Sequence, residues 1–243
     1  MREGVSMDSS LRTFRVGFLA PMPSELRPLA RAASLRPGRL GDLSVQFGTI
    51  GAANVVATTS GIGMRAAAAV TERLLDASSI SHLIVVGIAG GVGDTVSIGD
   101  VIVPEAVIDA RNGSEYRPVS LPHTTPRGLL QTSDEFVVGP EQVGRLAARG
   151  VIAVDMETAS IAAVCVRRQC PWSVVRAISD RAGDTPIEVL GLARADGSPD
   201  LVAAARYVLT HPWRVPGLAK LGRDASRAAR AAAEAAVQAA AVL

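Results

Sequence analysis

Three carboxylates sit where the chain passes from one kind of local pattern to another. Glu25 closes Pro21-Met22-Pro23-Ser24-Glu25, Glu157 closes Val154-Asp155-Met156-Glu157, and Asp180 closes Ile178-Ser179-Asp180. Each follows a run with strand character, which places it near strand C-termini, where open α/β sheets bind ligands. A carboxyl in a cleft can be pushed toward neutrality and act as acid or base. Arg176, shortly before Asp180, adds a cation. Two glycine-rich stretches, Ser60-Gly61-Ile62-Gly63 and Gly87-Ile88-Ala89-Gly90-Gly91, also follow strand-like runs and read as turns that bring backbone amides close to a ligand. Neither has the Lys-Ser/Thr of a Walker loop, and neither fits the dinucleotide fingerprint. Taken singly, Glu25 and Glu157 read equally as helix-start charges, Asp180 as a turn residue, and the glycines as tight packing. Together they point to one polar cleft.

The elements that must position these groups alternate between strand and helix. Phe14–Ala20 reads as a buried strand stopped by Pro21-Met22-Pro23, and Ser24 reads as the cap of a helix from Glu25 to Arg31. Leu43–Phe47 and Asn54–Thr59 read as two strands joined through residues 48–53. Met64–Ala77 has helical composition, and His82–Gly87 is an apolar run typical of a strand covered on both faces. Val101–Ile108 reads as a further strand and 111–128 as a long loop, a length that often carries function. Gly128–Thr132 resumes the chain and a short helix is expected over 139–149. A strand at Val151–Val154, a helix from Thr158 to about Arg168 and a strand at Trp172–Ile178 complete the series. This alternation predicts a single α/β domain over 13–243, a central mixed sheet flanked by helices in three α/β/α layers. Residues 1–12 read as a flexible leader. The tail from about 200 reads as helical, its Ala/Arg-rich end as a peripheral, frayed helix.

Composition excludes several classes. The chain has 243 residues, 48% hydrophobic and 20% charged, with a formal charge of +2. That is an ordinary globular balance, large enough for a core without disulfide or metal staples. Aromatics make up only 3%, lysine occurs once, at Lys220, and no basic stripe is visible, which argues against a nucleic-acid surface. No apolar run reaches the roughly 18–20 residues of a membrane span. Two cysteines, Cys165 and Cys170, and three scattered histidines offer no metal-ligand spacing. The start lacks a secretory pattern, so cytoplasm is the expected compartment.

With these residues in view, the chain resembles the nucleoside phosphorylase/nucleosidase superfamily, most closely its 5′-methylthioadenosine/S-adenosylhomocysteine nucleosidase branch. The resemblance covers about residues 14–182. Val16–Glu25 resembles the family's opening strand and acidic turn. Ser60-Gly61-Ile62-Gly63-Met64 resembles its Ser-Gly-Ile-Gly-Lys turn, and Gly87–Gly91 with Ile98–Val103 its central glycine segment. Val154–Glu157 and Val175–Asp180 resemble its most specific pair.

The resemblance implies cleavage of a purine nucleoside's N-glycosidic bond, by hydrolysis of 5′-methylthioadenosine- or S-adenosylhomocysteine-type substrates to adenine and a ribosyl product. It needs no metal and no organic cofactor. The transition state is oxocarbenium-like, and the leaving purine requires a proton. By resemblance Asp180 is the acid, oriented by Ser179. Glu25 is the base for water, and Arg176 supports Glu25 or the water. Glu157 takes the ribose hydroxyls, Met156 packs on the sugar and Phe136 stacks on the base. Met22, Ile62, Ala89, Gly90 and Val137 complete the substrate contacts. The resemblance further implies a homodimer or higher homo-oligomer, in which the 111–128 loop closes the pocket of a neighbouring subunit.

Departures are specific. Ile88 stands where the family commonly has Ser or Thr, and Met64 where it has Lys, which removes a hydroxyl and a cation that would favour phosphate. From about Gly183 the sequence follows no nucleosidase ending. These changes suggest a bulkier 5′ group. The alternatives are phosphorolysis, including that of the hopanoid-associated adenosylhopane phosphorylases, and non-catalytic nucleoside binding.

Overall fold

A computed structural model describes residues 12–183 and 215–243. Most of the expected leader and the tail from about 200 to 214 therefore lie outside the described residues. One sheet runs through the molecule. Its strands are β1 (Arg12–Ala20), β2 (Arg36–Leu40), β3 (Leu43–Ile50), β4 (Ala53–Thr59), β5 (Ser78–Gly91), β6 (Val101–Ile102), β7 (Ala106–Asp109), β8 (Glu115–Tyr116), β9 (Leu129–Thr132), β10 (Val151–Asp155) and β11 (Trp172–Arg181). The described helices are α1 (Pro23–Ala32), α2 (Met64–Ala77), α3 (Gly139–Ala148), α4 (Thr158–Arg167) and α5 (Val215–Ala240).

The strand order is β2-β3-β4-β1-β5-β10-β9-β7-β8, with β11 pairing β5 and β6 off this path. β1, β4, β5 and β11 are mutually parallel where they pair, and β10 meets the far end of β5 antiparallel at Gly90 and Gly91. The sheet is therefore mixed. Strand alternation sorts side chains between the two outer layers. Leu83 and Val85 of β5 join the core under α2 and α4, whereas Ile84 and Val86 join the core under α1 and α5. β11 does the same, with Val174 and Ile178 on one side and Val175 and Ala177 on the other. These are the three expected layers.

Several local expectations are corrected. Helix α1 begins at Pro23, with Met22 as its N-cap and no side-chain capping bond, so Ser24 lies within the first turn. Proline presets the helical φ and gives up an N–H that has no partner there anyway. The segment Gly87–Gly91 is not a turn. It continues β5, and its small side chains let β10 and β11 close on the strand from both edges. The expected strand over 101–108 divides into β6 and β7 around Pro104, which cannot donate to a ladder. The 111–128 loop contains β8, and β2 adds an unforeseen edge strand over the sequence Arg36-Pro37-Gly38-Arg39-Leu40. Arg12 belongs to β1 rather than to a leader.

The Ala-rich end is not peripheral. Ala228, Ala229, Ala232, Ala233, Ala236, Ala239 and Ala240 of α5 are buried, packed across β11, β5 and α1. Methyl side chains let a helix approach a sheet closely, and they form helix well. Near its end β11 carries a register shift, with Ile178 opposite Ala89 and Asp180 opposite Gly90, so Ser179 is the extra residue of a β-bulge. Such a bulge re-aims the residues that follow it.

Candidate active site

The layers meet in a cavity of about 540 Å³ at the C-terminal ends of β1, β5, β10 and β11. Its lining includes Met22 and Glu25 from α1 and its cap, Ile62 ahead of α2, and Ala89 and Gly90 from β5. Phe136 and Val137 enter from the segment after β9, Met156 and Glu157 from the β10–α4 junction, and Ser179 and Asp180 from β11. The substrate-binding and acidic residues expected from sequence are thus assembled around one space, and Arg176 lies fully buried beside it, contacting the same carboxylates. Phe136 is 44% exposed at the cavity rim, a position open to a flat ring, and not a core aromatic.

Glu25 is buried in the first turn of α1. Its Oε2 accepts from the Ile88 backbone N–H (2.7 Å), and its Oε1 is buried without a partner. Burial pushes the carboxyl up from 4.5 to about 7, against the opposing pull of Arg176 and the Ile88 amide. Gly87 makes this approach feasible: a methyl there would collide with both the Glu25 carboxylate and the Arg176 guanidinium.

Arg176 reaches from β11 into a ring of acids. Its Nη2 donates to Asp155 Oδ2 (2.5 Å) and to the Thr158 hydroxyl (2.9 Å). Glu157 Oε2 lies 3.7 Å from Nη2, and Glu25 Oε2 lies 3.9 Å from Nη1. Nε and Nη1 are buried without partners. Burial works against the guanidinium charge, but Asp155, Glu157 and Glu25 hold it above its ordinary pKa.

Glu157 is the N-cap residue of α4, and its Oε1 accepts from Gly63 N–H (2.9 Å) at the start of α2. Burial, and after it the Asp155 charge, push its carboxyl up to about 8. Met64 N–H, beside it, donates to Asp134 Oδ1 (2.8 Å). Two carboxylates therefore occupy the α2 N-terminus, whose unpaired amides favour negative charge. The Ser179 hydroxyl donates to Asp180 Oδ1 and also lies 3.3 Å from the Ala89 carbonyl, so the bulge fixes the carboxylate's orientation.

Sequence reasoning passed over several members of this site. Asp155 was visible inside the Val154–Glu157 motif, but nothing in its spacing separates an ion-pair anchor from a strand end. Thr132, which donates to Asp155 Oδ1 (2.6 Å), and Asp134 gave only the signal of polar residues after a strand. Leu221 and Ala225 of α5 line the cavity, and no motif marks them. The 111–128 segment contributes nothing to its own chain's cavity among the described residues. Val119 N–H instead donates to the Trp172 carbonyl, at the end of β11 remote from Asp180. Among the described residues no cluster of three potential metal ligands exists, and no helix is long and apolar enough to cross a membrane.

The arrangement is a mixed sheet between helices with acids gathered around one cavity at its strand ends. The chain belongs to the phosphorylase superfamily, whose family model matches residues 15–126 and 119–203. The 5′-methylthioadenosine/S-adenosylhomocysteine nucleosidase of Aeromonas salmonicida is 30% identical over 206 residues, covering 72% of this chain and 89% of that protein. The enzyme of the same name from Actinobacillus succinogenes is 30% identical over 200 residues, covering 70% and 86%. In fold the chain is similar to the Neisseria meningitidis nucleosidase in complex with methylthio-immucillin-A, with TM-score 0.70 and 22% identity over 96% of this chain and all of that one. It is similarly related to the Streptococcus pneumoniae nucleosidase with a transition-state inhibitor, with TM-score 0.71 and 21% identity over 93% and 98%.

Proposed function

We propose that this chain is a nucleosidase that hydrolyses the C1′–N9 bond of adenosine derivatives of the 5′-methylthioadenosine/S-adenosylhomocysteine type. The observation that carries the reading is the convergence of Glu25, Glu157 and Asp180 on one cavity, with Arg176 between the first two. Asp180, held by Ser179, gives its proton to N7 of the purine as the glycosidic electron pair leaves with the base. Water adds to C1′ and loses a proton to Glu25. Glu157 accepts from the ribose hydroxyls, Met156 lies against the sugar and Phe136 against the base. Glu25 Oε1 and Arg176 Nη1 are buried without partners, and Nη1 lies 3.9 Å from Glu25 Oε2, so an acceptor and a donor stand side by side for a water molecule.

The same geometry favours water over phosphate. Glu25, Asp155 and Glu157 surround the single guanidinium of Arg176, and the amides of Ile88, Gly63 and Met64 already serve carboxylates. A phosphate dianion would find the one guanidinium already engaged by three carboxyl groups, and Ile88 offers it no hydroxyl. Chromatographic detection of free adenine from 5′-methylthioadenosine tests this. Release at the same rate with and without phosphate is expected, with free ribosyl product. Release that requires phosphate refutes it. In the same reading the protein works as a homodimer in the cytoplasm, and light scattering of the purified chain checks the dimer.

A further inference from the structure

Asp155 is a buried carboxylate with no part in the proton transfers above. Its Oδ2 accepts from Arg176 Nη2 and from the Thr158 hydroxyl, and its Oδ1 accepts from the Thr132 hydroxyl. Thr132 Oγ1 in turn accepts from the Ala159 N–H (3.0 Å) in α4. Asp155 is therefore fixed by β9 and α4, and it grips only one end of the guanidinium. At the other end, Nη1 stands 3.9 Å from Glu25, longer than a hydrogen bond, and Nε and Glu25 Oε1 are left unpaired.

We propose that Asp155 is the positioning residue of the hydrolytic half-site, tethering Arg176 by Nη2 so that Nη1 stays too far from Glu25 to bond it directly and both remain able to hold the attacking water beside them. Without the tether, the shortest route to satisfying both groups is a closed Glu25–Arg176 ion pair. That pair would displace the water and weaken Glu25 as a base. This inference rests on the proposed role of Glu25.

The charges around Glu25 are few. Arg176 on β11 lowers its pKa, Asp155 at the end of β10 raises it, and the Ile88 amide on β5 stabilises its ionised form. Glu157, at the start of α4, interacts with Glu25, Asp155 and Arg176. Removing the Asp155 charge shifts Glu25 toward ionisation, because an opposing charge is lost and Arg176 is released toward it.

The test is Asp155→Asn, which keeps the side chain's size. In wild type, kcat/KM should rise with pH through about 7 as Glu25 ionises. In Asp155→Asn that limb should move down by about one pH unit, while the plateau kcat falls at least about tenfold because the base is weaker and its water displaced. A folded Asp155→Asn enzyme with the limb unmoved overturns the proposal, even if kcat falls. Thr158→Val removes the other group that holds Nη2 without changing charge. It should lower kcat roughly three- to tenfold with KM near wild type, and wild-type kcat in this variant also overturns the proposal. This second variant decides the matter if Asp155→Asn does not fold. Glu25→Gln separates the two levels of the argument. If it turns over normally, the reading of Glu25 fails. If it is inactive while Asp155→Asn keeps the wild-type limb, only the role of Asp155 fails.

Discussion

Glu25→Gln should make the protein less active and, in alkaline solution, more stable. Glutamine keeps the shape and the acceptor for the Ile88 N–H, but it cannot take a proton from water or carry charge into the interior. The folded carboxyl is raised from 4.5 to about 7 by burial. A group raised in this way holds its proton more tightly when folded. Its contribution is intact below about 4.5 and is lost as pH climbs through about 7. At 1.36 kcal/mol per pKa unit, moving from pH 5 to pH 8.5 costs wild type about 2–3 kcal/mol that the glutamine variant does not lose. For a chain of this size that is roughly 5–10 °C of melting temperature. Melts of both proteins at pH 5 and pH 8.5, paired with adenine-release assays, measure the two effects together. Turnover should fall at least about a hundredfold. A stability gap between the two proteins that stays constant with pH would refute the burial argument, and near-normal turnover would remove Glu25 from the chemistry.

Asp180→Asn should reduce turnover by about a hundredfold or more with an unchanged melting temperature, since asparagine delivers no proton and the site is half-exposed; activity close to wild type would exclude Asp180 as the acid. Gly87→Ala should cost about 1–3 kcal/mol and most of the activity, because its methyl displaces Glu25 and Arg176 together, and denaturant unfolding with steady-state kinetics reads both losses. Ala232→Leu should destabilise by about 1–3 kcal/mol, a loss that a truly peripheral helix would not show in denaturant titration. Asp134→Ala removes the acceptor at Met64 N–H, and about 1 kcal/mol of stability should go with it, along with a higher KM as the Phe136 segment loosens; unchanged KM would separate that segment from the base.

What the sequence revealed and what it hid follow a physical division. Helix α2 was readable to the residue because its composition, from Met64 to Ala77, is mostly Ala, Leu, Arg and other strong helix formers. The convergence of Glu25, Glu157 and Asp180 was readable because strand ends in an α/β sheet share one edge. Gly87–Gly91 was misread because glycines that permit neighbouring strands to approach look the same in sequence as glycines that turn the chain. Helix α5 was misjudged for a related reason. Alanine's small apolar surface says little about burial when closeness of approach, and not bulk, makes the contact. Asp155 and Thr132 stayed hidden because their importance lies in partners from β11 and α4, which only the assembled sheet brings to them.

The extra residue in β11 divides the strand's obligations. Up to Ile178 the apolar side chains alternate between two cores, and Arg176 cannot change without disturbing several buried acids. Beyond Ser179 the chain is released from that alternation, and Asp180 faces a space that solvent and ligand share. Arg176 and its acids are therefore locked to the sheet, while Asp180 is held by its neighbour Ser179 at the edge of the cavity. A substitution at this short stretch of strand can therefore alter the cavity without unfolding what lies beneath it.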